Sequence, residues 1–131
     1  MKLTICIIIT LTIISCNGSE EKKINGNWTI ELIEKNGQDL MFQYTSNLIS
    51  FKKGRTCTLP QTRENGNNVG TWALYKAGGI YYIKIEAGNN NLTGSYKIDF
   101  ENDNENKLLK VHLSTDSINI ICSKLLNKFE R

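Results

Sequence analysis

The chain has 131 residues, which is enough for one domain and leaves little room for a second. Its 16 basic and 13 acidic residues give a net charge of +3, an excess too small to indicate either nucleic acid or an anionic membrane face as a partner. A single histidine excludes sites that need two imidazole ligands, such as a His-rich zinc site. The composition, with 40% hydrophobic and 22% charged residues, is that of an ordinary globular domain.

The N-terminus has the organisation of a signal peptide. Lys2 supplies a positive charge, and the apolar run over 3–14 is shorter than the roughly 20 residues of a membrane-spanning helix. Ile13 and Ser15, placed before Cys16, resemble the lipobox of bacterial lipoproteins. The resemblance implies cleavage before Cys16, thioether lipidation of its thiol and acylation of the new terminus by a chain such as palmitate. The alternative is a general secretory signal in which this cysteine is incidental.

The residues after the lipobox indicate where the mature chain resides. Asn17 stands where an Asp would resemble an inner-membrane retention signal, so we expect the outer membrane. The acidic stretch at 19–21 resembles a surface-export signal and equally suits a solvated tether, so the domain faces either the periplasm or the cell surface. The sequence thus predicts a signal peptide over 1–15, a lipidated tether over 16–23 and one domain over 24–131.

From residue 24 onward the hydrophobic pattern has the period of two that is typical of β-strands. The predicted strands cover 28–32, 48–51, 56–59, 70–75, 80–86, 96–100, 109–113 and 118–122. Short polar turns join them, with no crossover helix, and a helical turn is expected only within 123–131. We therefore predict an all-β fold, an antiparallel up-and-down meander of about eight strands that closes into a small barrel or half-barrel, because closure removes exposed edges.

The segment 39–44 does not fit this minimal meander. It contains Leu40, Met41, Phe42 and Tyr44, which is too apolar for a free loop. Two alternatives remain. We expect an additional or extended strand, and the alternative is a segment that folds over the barrel mouth, where Met41 and Phe42 would contact a ligand.

Two strands open with the same pattern, Gly26-Asn27-Trp28 and Gly70-Thr71-Trp72, in which glycine allows a sharp entry or a close backbone approach. Together with Phe51, Gly54 and the strands at 96–100 and 108–113, this pattern resembles the small lipocalin-like domains of bacterial outer-membrane lipoproteins. The resemblance covers 24 to about 126. It implies a small barrel that binds an apolar molecule. It also implies a basic side chain, usually Arg, over the first-strand tryptophan, and Lys124 stands near that place in this sequence.

The alternation predicts a bulky interior. The inward set comprises Trp28, Ile30, Leu32, Phe51, Trp72, Leu74, Tyr81, Ile83, Ile85, Tyr96, Ile98, Phe100, Leu109, Val111, Leu113, Ile118 and Ile120. The candidate ligand-binding residues are Trp28, Met41, Phe42, Trp72, Tyr81, Tyr96 and Ile98. The alternative is a fully packed barrel that acts through its loops and surface on an envelope protein, as an inhibitor, immunity factor or complex subunit, and Tyr82 beside Tyr75 would suit such a surface.

Cys57 and Cys122 are the cysteines of the predicted domain. In an oxidising envelope such a pair usually forms a disulfide, and the alternative is two buried free thiols. His112 is predicted to point outward, and the acidic stretch 101–106 is interpreted as a solvated hairpin tip rather than a calcium loop. Because no nucleophile, metal-ligand or phosphate-loop motif is present, we expect a non-enzymatic protein without metal or cofactor.

Overall fold

The computed structural model describes residues 18–63 and 68–126. The predicted signal peptide and the predicted lipidation site Cys16 lie outside the described residues, so both stay predictions. The first described element is a short helix, α1, which takes up most of the predicted tether and ends where the predicted domain begins. The prediction that a helical turn occurs only within 123–131 is therefore wrong for this segment.

Nine strands and two short helices make up the described chain. In chain order they are α1 (Gly18–Ile24), β1 (Gly26–Lys35), β2 (Gln38–Asp39), a 3-10 helix (Met41–Gln43), β3 (Leu48–Phe51), β4 (Thr56–Thr58), β5 (Val69–Ala77), β6 (Ile80–Glu86), β7 (Gly94–Asp103), β8 (Leu108–Ser114) and β9 (Ile118–Leu125). Each of the eight predicted strands is present, and the stretch 123–125, where a helical turn was allowed, continues β9.

The sheet is an antiparallel meander that closes into a barrel, which confirms the predicted fold class. Each strand from β3 to β9 pairs with its neighbour in sequence, β1 pairs with β3, and β9 returns to pair with β1. The short β2 pairs only with the end of β1 and lies outside the ring of eight. Closure leaves none of the eight barrel strands with a fully unpaired edge, which is the physical advantage expected of a meander of this size.

The barrel has two ends that differ in structure. β1 begins at Gly26 opposite Phe51 and ends at Lys35 opposite Ile118. Because neighbouring strands are antiparallel, α1 and the turns at 52–55, 78–79 and 104–107 lie at one end, which we call the helix end. The segments 36–47, 59–63, 87–93 and 115–117 lie at the other, which we call the open end.

A β-bulge corrects one predicted core position. The pairing of β1 with β9 shifts register between Ile30 and Leu32. The extra residue reverses the inward and outward faces beyond that point, so Ile33 is buried and Leu32, predicted to point inward, is only half-buried. Tyr81, Phe100 and Ile118 of the predicted inward set are also only partly buried, and they pack against the core.

The first Gly-x-Trp pattern closes the helix end. Gly26 has φ +122, a conformation that favours glycine, and it allows the sharp entry from α1 into β1. The Trp28 ring is fully buried, and its Nε1 donates a hydrogen bond to the Ile24 carbonyl at 2.7 Å. The Lys124 ammonium lies 4.7 Å from the centre of that ring and donates to the Asn25 carbonyl at 2.9 Å. The expected basic side chain over the first-strand tryptophan is therefore confirmed.

The second Gly-x-Trp pattern also buries its tryptophan under a basic side chain. Trp72 is buried, its Nε1 donates to the Lys52 carbonyl at 3.1 Å, and the Arg55 guanidinium lies 5.1 Å from the ring centre. Here the glycine serves a close approach instead of a sharp entry. A Cβ atom at Gly70 would lie 2.2 Å from the Glu86 carbonyl oxygen.

The segment after β2 differs from the favoured prediction of a strand. Only Asp39 belongs to a strand, and Met41–Gln43 forms a single 3-10 turn. The Asp39 carboxylate accepts a hydrogen bond from the Met41 backbone N–H at 2.8 Å, which turns the chain back toward the barrel. Leu40, Met41 and Tyr44 then pack against the core. The segment folds over the open end, as the alternative interpretation held.

Candidate binding site at the open end

Four of the seven predicted ligand-binding residues fill the interior of the barrel. Trp28 and Tyr96 have no exposed surface, Trp72 is 2% exposed and Ile98 is 7% exposed. The two tryptophans pack at the helix end, where Phe51 meets Trp72 edge to face with ring centres 5.6 Å apart. The volume that larger barrels leave for a central ligand is therefore occupied here by side chains.

The other three predicted residues lie apart from this group. Met41 is half-buried against the core, whereas Phe42 is 65% exposed at the open end. Tyr81 lies on β6 near the helix end, with the Lys76 ammonium 5.1 Å from its ring centre. The structure thus does not bring the seven residues together into one site.

A cavity of about 170 Å³ does lie at the open end, under the 3-10 turn. Its wall is formed by Ile33, Lys35, Leu40, Gln43, Tyr44, Asn91, Leu92 and Ile118. A more open groove of about 450 Å³ adjoins it, lined by Phe42, Gln43, Thr62, Arg63 and Asn91. Gln43 and Asn91 belong to both linings, so the cavity and the groove are direct neighbours.

The roof of the cavity is fixed by backbone hydrogen bonds. The Leu40 N–H donates to the Ile33 carbonyl at 2.8 Å, which holds the start of the 3-10 turn against β1. Tyr44 forms an isolated antiparallel bridge with Thr62, and the Thr45 N–H donates to the Gln61 carbonyl at 2.7 Å. These bonds hold the aromatic ring of Tyr44 at the cavity wall.

The floor is set by the loop between β6 and β7. Leu92 is buried, although it lies in an Asn-rich loop, and its N–H donates to the Asn90 side-chain oxygen at 2.9 Å. The Tyr96 hydroxyl donates to the Leu92 carbonyl at 2.7 Å and fixes the loop from inside the barrel. Tyr96 therefore supports the site from beneath, which differs from the direct ligand contact predicted for it.

The polar side chains that line the cavity and the groove are either neutral or positively charged. Burial raises the pKa of Tyr44, and burial together with the neighbouring Tyr44 raises the pKa of Tyr96, so both phenols are protonated at neutral pH. Lys35 lines the cavity, and Arg63 lines the groove. The cavity therefore combines an aliphatic wall with phenol, amide and ammonium groups, and the groove adds a guanidinium group.

The predicted disulfide between Cys57 and Cys122 is not formed, and both residues are buried free thiols. Cys57 lies on β4 and Cys122 on β9, and β3 and β1 separate these strands around the barrel. Three strand spacings of about 4.8 Å exceed the reach of a disulfide. Burial raises the pKa of both thiols, that of Cys122 to about 12, which disfavours the reactive thiolate.

The remaining polar candidates lie on the outside of the barrel. His112 is half-exposed on β8, and its Nε2 lies 3.1 Å from the Glu101 carboxylate. The acidic stretch forms the β7–β8 hairpin, as predicted, and hydrogen bonds from Asn106 hold the pKa of Asp103 below its usual value. Within 18–63 and 68–126, no cluster of three His, Cys, Asp or Glu residues is placed to hold a metal ion. The same residues include no helix of the length and apolarity required to span a membrane.

None of the residues that line the cavity was among the seven predicted ligand-binding residues, and only Phe42 of the seven lines the groove. Ile118 was predicted only as an inward residue, and Ile33 and Leu92 were not singled out. Ile33 was hidden by the bulge, which a period-two pattern does not show. The one signal for Leu92 in the sequence is that it is the large aliphatic residue of the Asn-rich loop 87–93. Comparison with protein-family models, with curated proteins and with solved structures found no match to this chain.

Proposed function

We propose that this chain is a lipid-anchored, lipocalin-like lipoprotein of the bacterial outer membrane that binds a small, mainly apolar molecule at the open end of its barrel. The anchor is the lipid proposed on Cys16. The observation that carries the binding function is the cavity of about 170 Å³ between Ile33, Leu40 and Ile118.

The size of the cavity limits the ligand. An apolar cavity of about 150 Å³ is sufficient for benzene. This cavity, in which Lys35, Gln43 and Asn91 accompany the aliphatic residues, has room for a group of similar size. Larger ligands extend into the groove past Phe42, where Arg63 is available to an anionic or polar group. Binding, not catalysis, is the better fit, because the polar groups that line the described site are neutral phenol, amides, a hydroxyl and two cations.

The lipocalin-like assignment is supported by two features of the barrel. One is the closed antiparallel meander of eight strands with a short N-terminal helix across one end. The other is the placement of Lys124 over Trp28, which joins the end of the last strand to the start of the first. A binding site at the open end is consistent with this plan, because the helix end is filled by the two tryptophans.

A pair of tryptophan substitutions tests the site. Benzene is titrated into the 15N-labelled protein, and amide shifts are followed by NMR. We expect saturable shifts confined to the open end. Ile118→Trp should fill the cavity and abolish them, whereas Leu125→Trp, on the same strand but 76% exposed at the helix end, should leave them unchanged. Absence of saturable shifts in the parent protein, or their survival in Ile118→Trp, contradicts the proposed site.

A second candidate function is a packed module that binds an envelope protein through its outer wall. Tyr75 and Tyr82 favour it, since they stack outside the barrel with ring centres 5.2 Å apart and planes 11° from parallel. Tyr75 is 39% exposed. Crosslinking in the host envelope tests this candidate. A partner captured by the parent chain and lost in Tyr75→Ser/Tyr82→Ser supports the module, and unchanged capture argues against this surface.

A further inference from the structure

We propose that the helix end of the barrel is a docking surface for an anionic lipid membrane, and that the open end faces away from that membrane. The orientation rests on the lipid anchor proposed above. The surface itself rests on the distribution of charged side chains, which is independent of the anchor.

The first step of the argument is the short distance between the anchor and the barrel. The described helix α1 begins at Gly18, two residues after Cys16. Two residues of extended chain span at most about 7 Å. The anchor therefore holds the start of α1 close to the lipid headgroups.

The second step is the firm attachment of α1 to the barrel. Ile24, its last residue, is fully buried, and Lys124 on β9 donates a hydrogen bond to the Asn25 carbonyl just beyond it. The Glu21 carboxylate also pairs with Arg55 at 3.3 Å. Because α1 is held to β9 and to the β3–β4 turn, it cannot act as a long flexible spacer, and the helix end stays near the membrane.

The third step is the charge of the helix end. Two of its cations are paired with acidic residues of α1, namely Lys23 with Glu20 and Arg55 with Glu21. The exposed lysines of this end are Lys22, Lys52, Lys53, Lys76 and Lys107, and the acidic residues that oppose them are Asp103 and Glu105. The excess of charge is positive. Among the described residues the open end has no such excess, since Lys35 and Arg63 are accompanied there by Glu34, Asp39 and Asp116.

The last step compares the relevant lengths. At physiological ionic strength, charges interact over a Debye length of about 8 Å. The tether holds the start of α1 within about that distance of the headgroups, and the seven residues of α1 add at most about 10 Å before the barrel. The eight residues of β9 place the open end roughly 25 Å further along the strand, at about 3.3 Å per residue. The lysines of the helix end are thus the charged groups of the barrel that lie nearest to the membrane surface, and the cavity opens toward the aqueous side.

Vesicle binding of the chain from Gly18 onward tests the surface without the lipid. This chain contains every described strand and the whole described core. We expect binding to vesicles with one-third phosphatidylglycerol and none to pure phosphatidylcholine. A basic residue near an anionic surface contributes about fivefold in partitioning. Lys52→Gln/Lys53→Gln should therefore weaken binding about 25-fold.

The matched control removes the same charge from the barrel wall. Lys84→Gln/Lys97→Gln changes two exposed lysines on β6 and β7 and should alter binding less than threefold. Absence of binding to the anionic vesicles, or an equal loss in both double variants, overturns the docking surface. Thermal unfolding of each variant verifies that its fold is retained. Failure of acyl labelling at Cys16 would refute the anchor and leave these binding results unaffected.

A second measurement tests the orientation in the lipidated protein. A fluorophore is placed at Lys53→Cys or at Asp116→Cys, and a quencher is attached to the lipid headgroups. Both native thiols of the barrel are buried, so labelling is directed to the new cysteine. We expect strong quenching at position 53 and little at position 116. Equal quenching, or the reverse order, contradicts the proposed orientation.

Discussion

Gly70→Ala is the substitution for which the structure gives the clearest expectation. An added Cβ would lie 2.2 Å from the Glu86 carbonyl oxygen and 2.8 Å from the Ala87 Cβ, distances far below van der Waals contact. The first of these atoms belongs to the backbone, so no flexible side chain can move aside. β5 and β6 must therefore separate by about 1 Å where Thr71 pairs with Glu86.

The magnitude follows from two opposing effects. Overpacking of this kind costs about 1–3 kcal/mol, and more where backbone must move. Replacing Gly by Ala also lowers the conformational entropy of the unfolded chain, which offsets about 0.4–1 kcal/mol of this cost. We expect the free energy of unfolding of Gly70→Ala to fall by about 2 kcal/mol or more. Gly94→Ala is the matched control, since its Cβ would meet only the Tyr96 ring at 3.8 Å.

Urea unfolding followed by the fluorescence of the two buried tryptophans measures both variants. The control should be unchanged or up to about 1 kcal/mol more stable. Equal stability of Gly70→Ala and the parent chain would refute the close approach of β5 and β6 at this point.

Three further predictions concern single side chains. Lys124→Met removes the cation over the Trp28 ring and the charged donor to the Asn25 carbonyl. It should lower the free energy of unfolding, measured in urea, by about 2 kcal/mol. Lys124→Arg, which keeps the charge, should be closer to the parent in stability. Tyr96→Phe leaves the Leu92 carbonyl without its buried donor and should lower the free energy of unfolding by about 1–2 kcal/mol. Amide hydrogen exchange in the loop 87–93 should become faster, and unchanged exchange would contradict this role of Tyr96. For Cys122, burial raises the pKa from 9.0 to about 12, so the folded state binds the thiol proton more tightly than the unfolded state. Its contribution to stability is present below pH 9 and is lost as the pH rises toward 12, by about 1.4 kcal/mol per pH unit, and Cys122→Ala should reduce this slope between pH 9 and 10.

The repetitive part of the fold was predictable because period-two alternation and Gly-containing turns are local signals. β3 and β6 begin and end where the sequence places them, at Leu48–Phe51 and Ile80–Glu86. The strand order follows from the short turns, since such turns permit only antiparallel neighbours. The contact of Lys124 with Trp28 was predictable only through the family resemblance.

The features that escaped prediction depend on tertiary placement. The register shift between Ile30 and Leu32 arises from the pairing of β1 with β9, whose residues are distant in the sequence. The separation of the two thiols depends on how many strands lie between β4 and β9 around the barrel. The same holds for the binding site, because the cavity exists only where the 3-10 turn meets the loop that carries Leu92.

Native mass spectrometry of the protein, purified gently from its own host, tests the central claim of a ligand-binding barrel most directly. Spectra are recorded before and after organic extraction. The account predicts a discrete additional mass that extraction removes, and a protein mass with both Cys57 and Cys122 reduced. A protein that carries no additional mass in any preparation, and that gains none when benzene is supplied, would contradict the binding function and favour the packed interaction module.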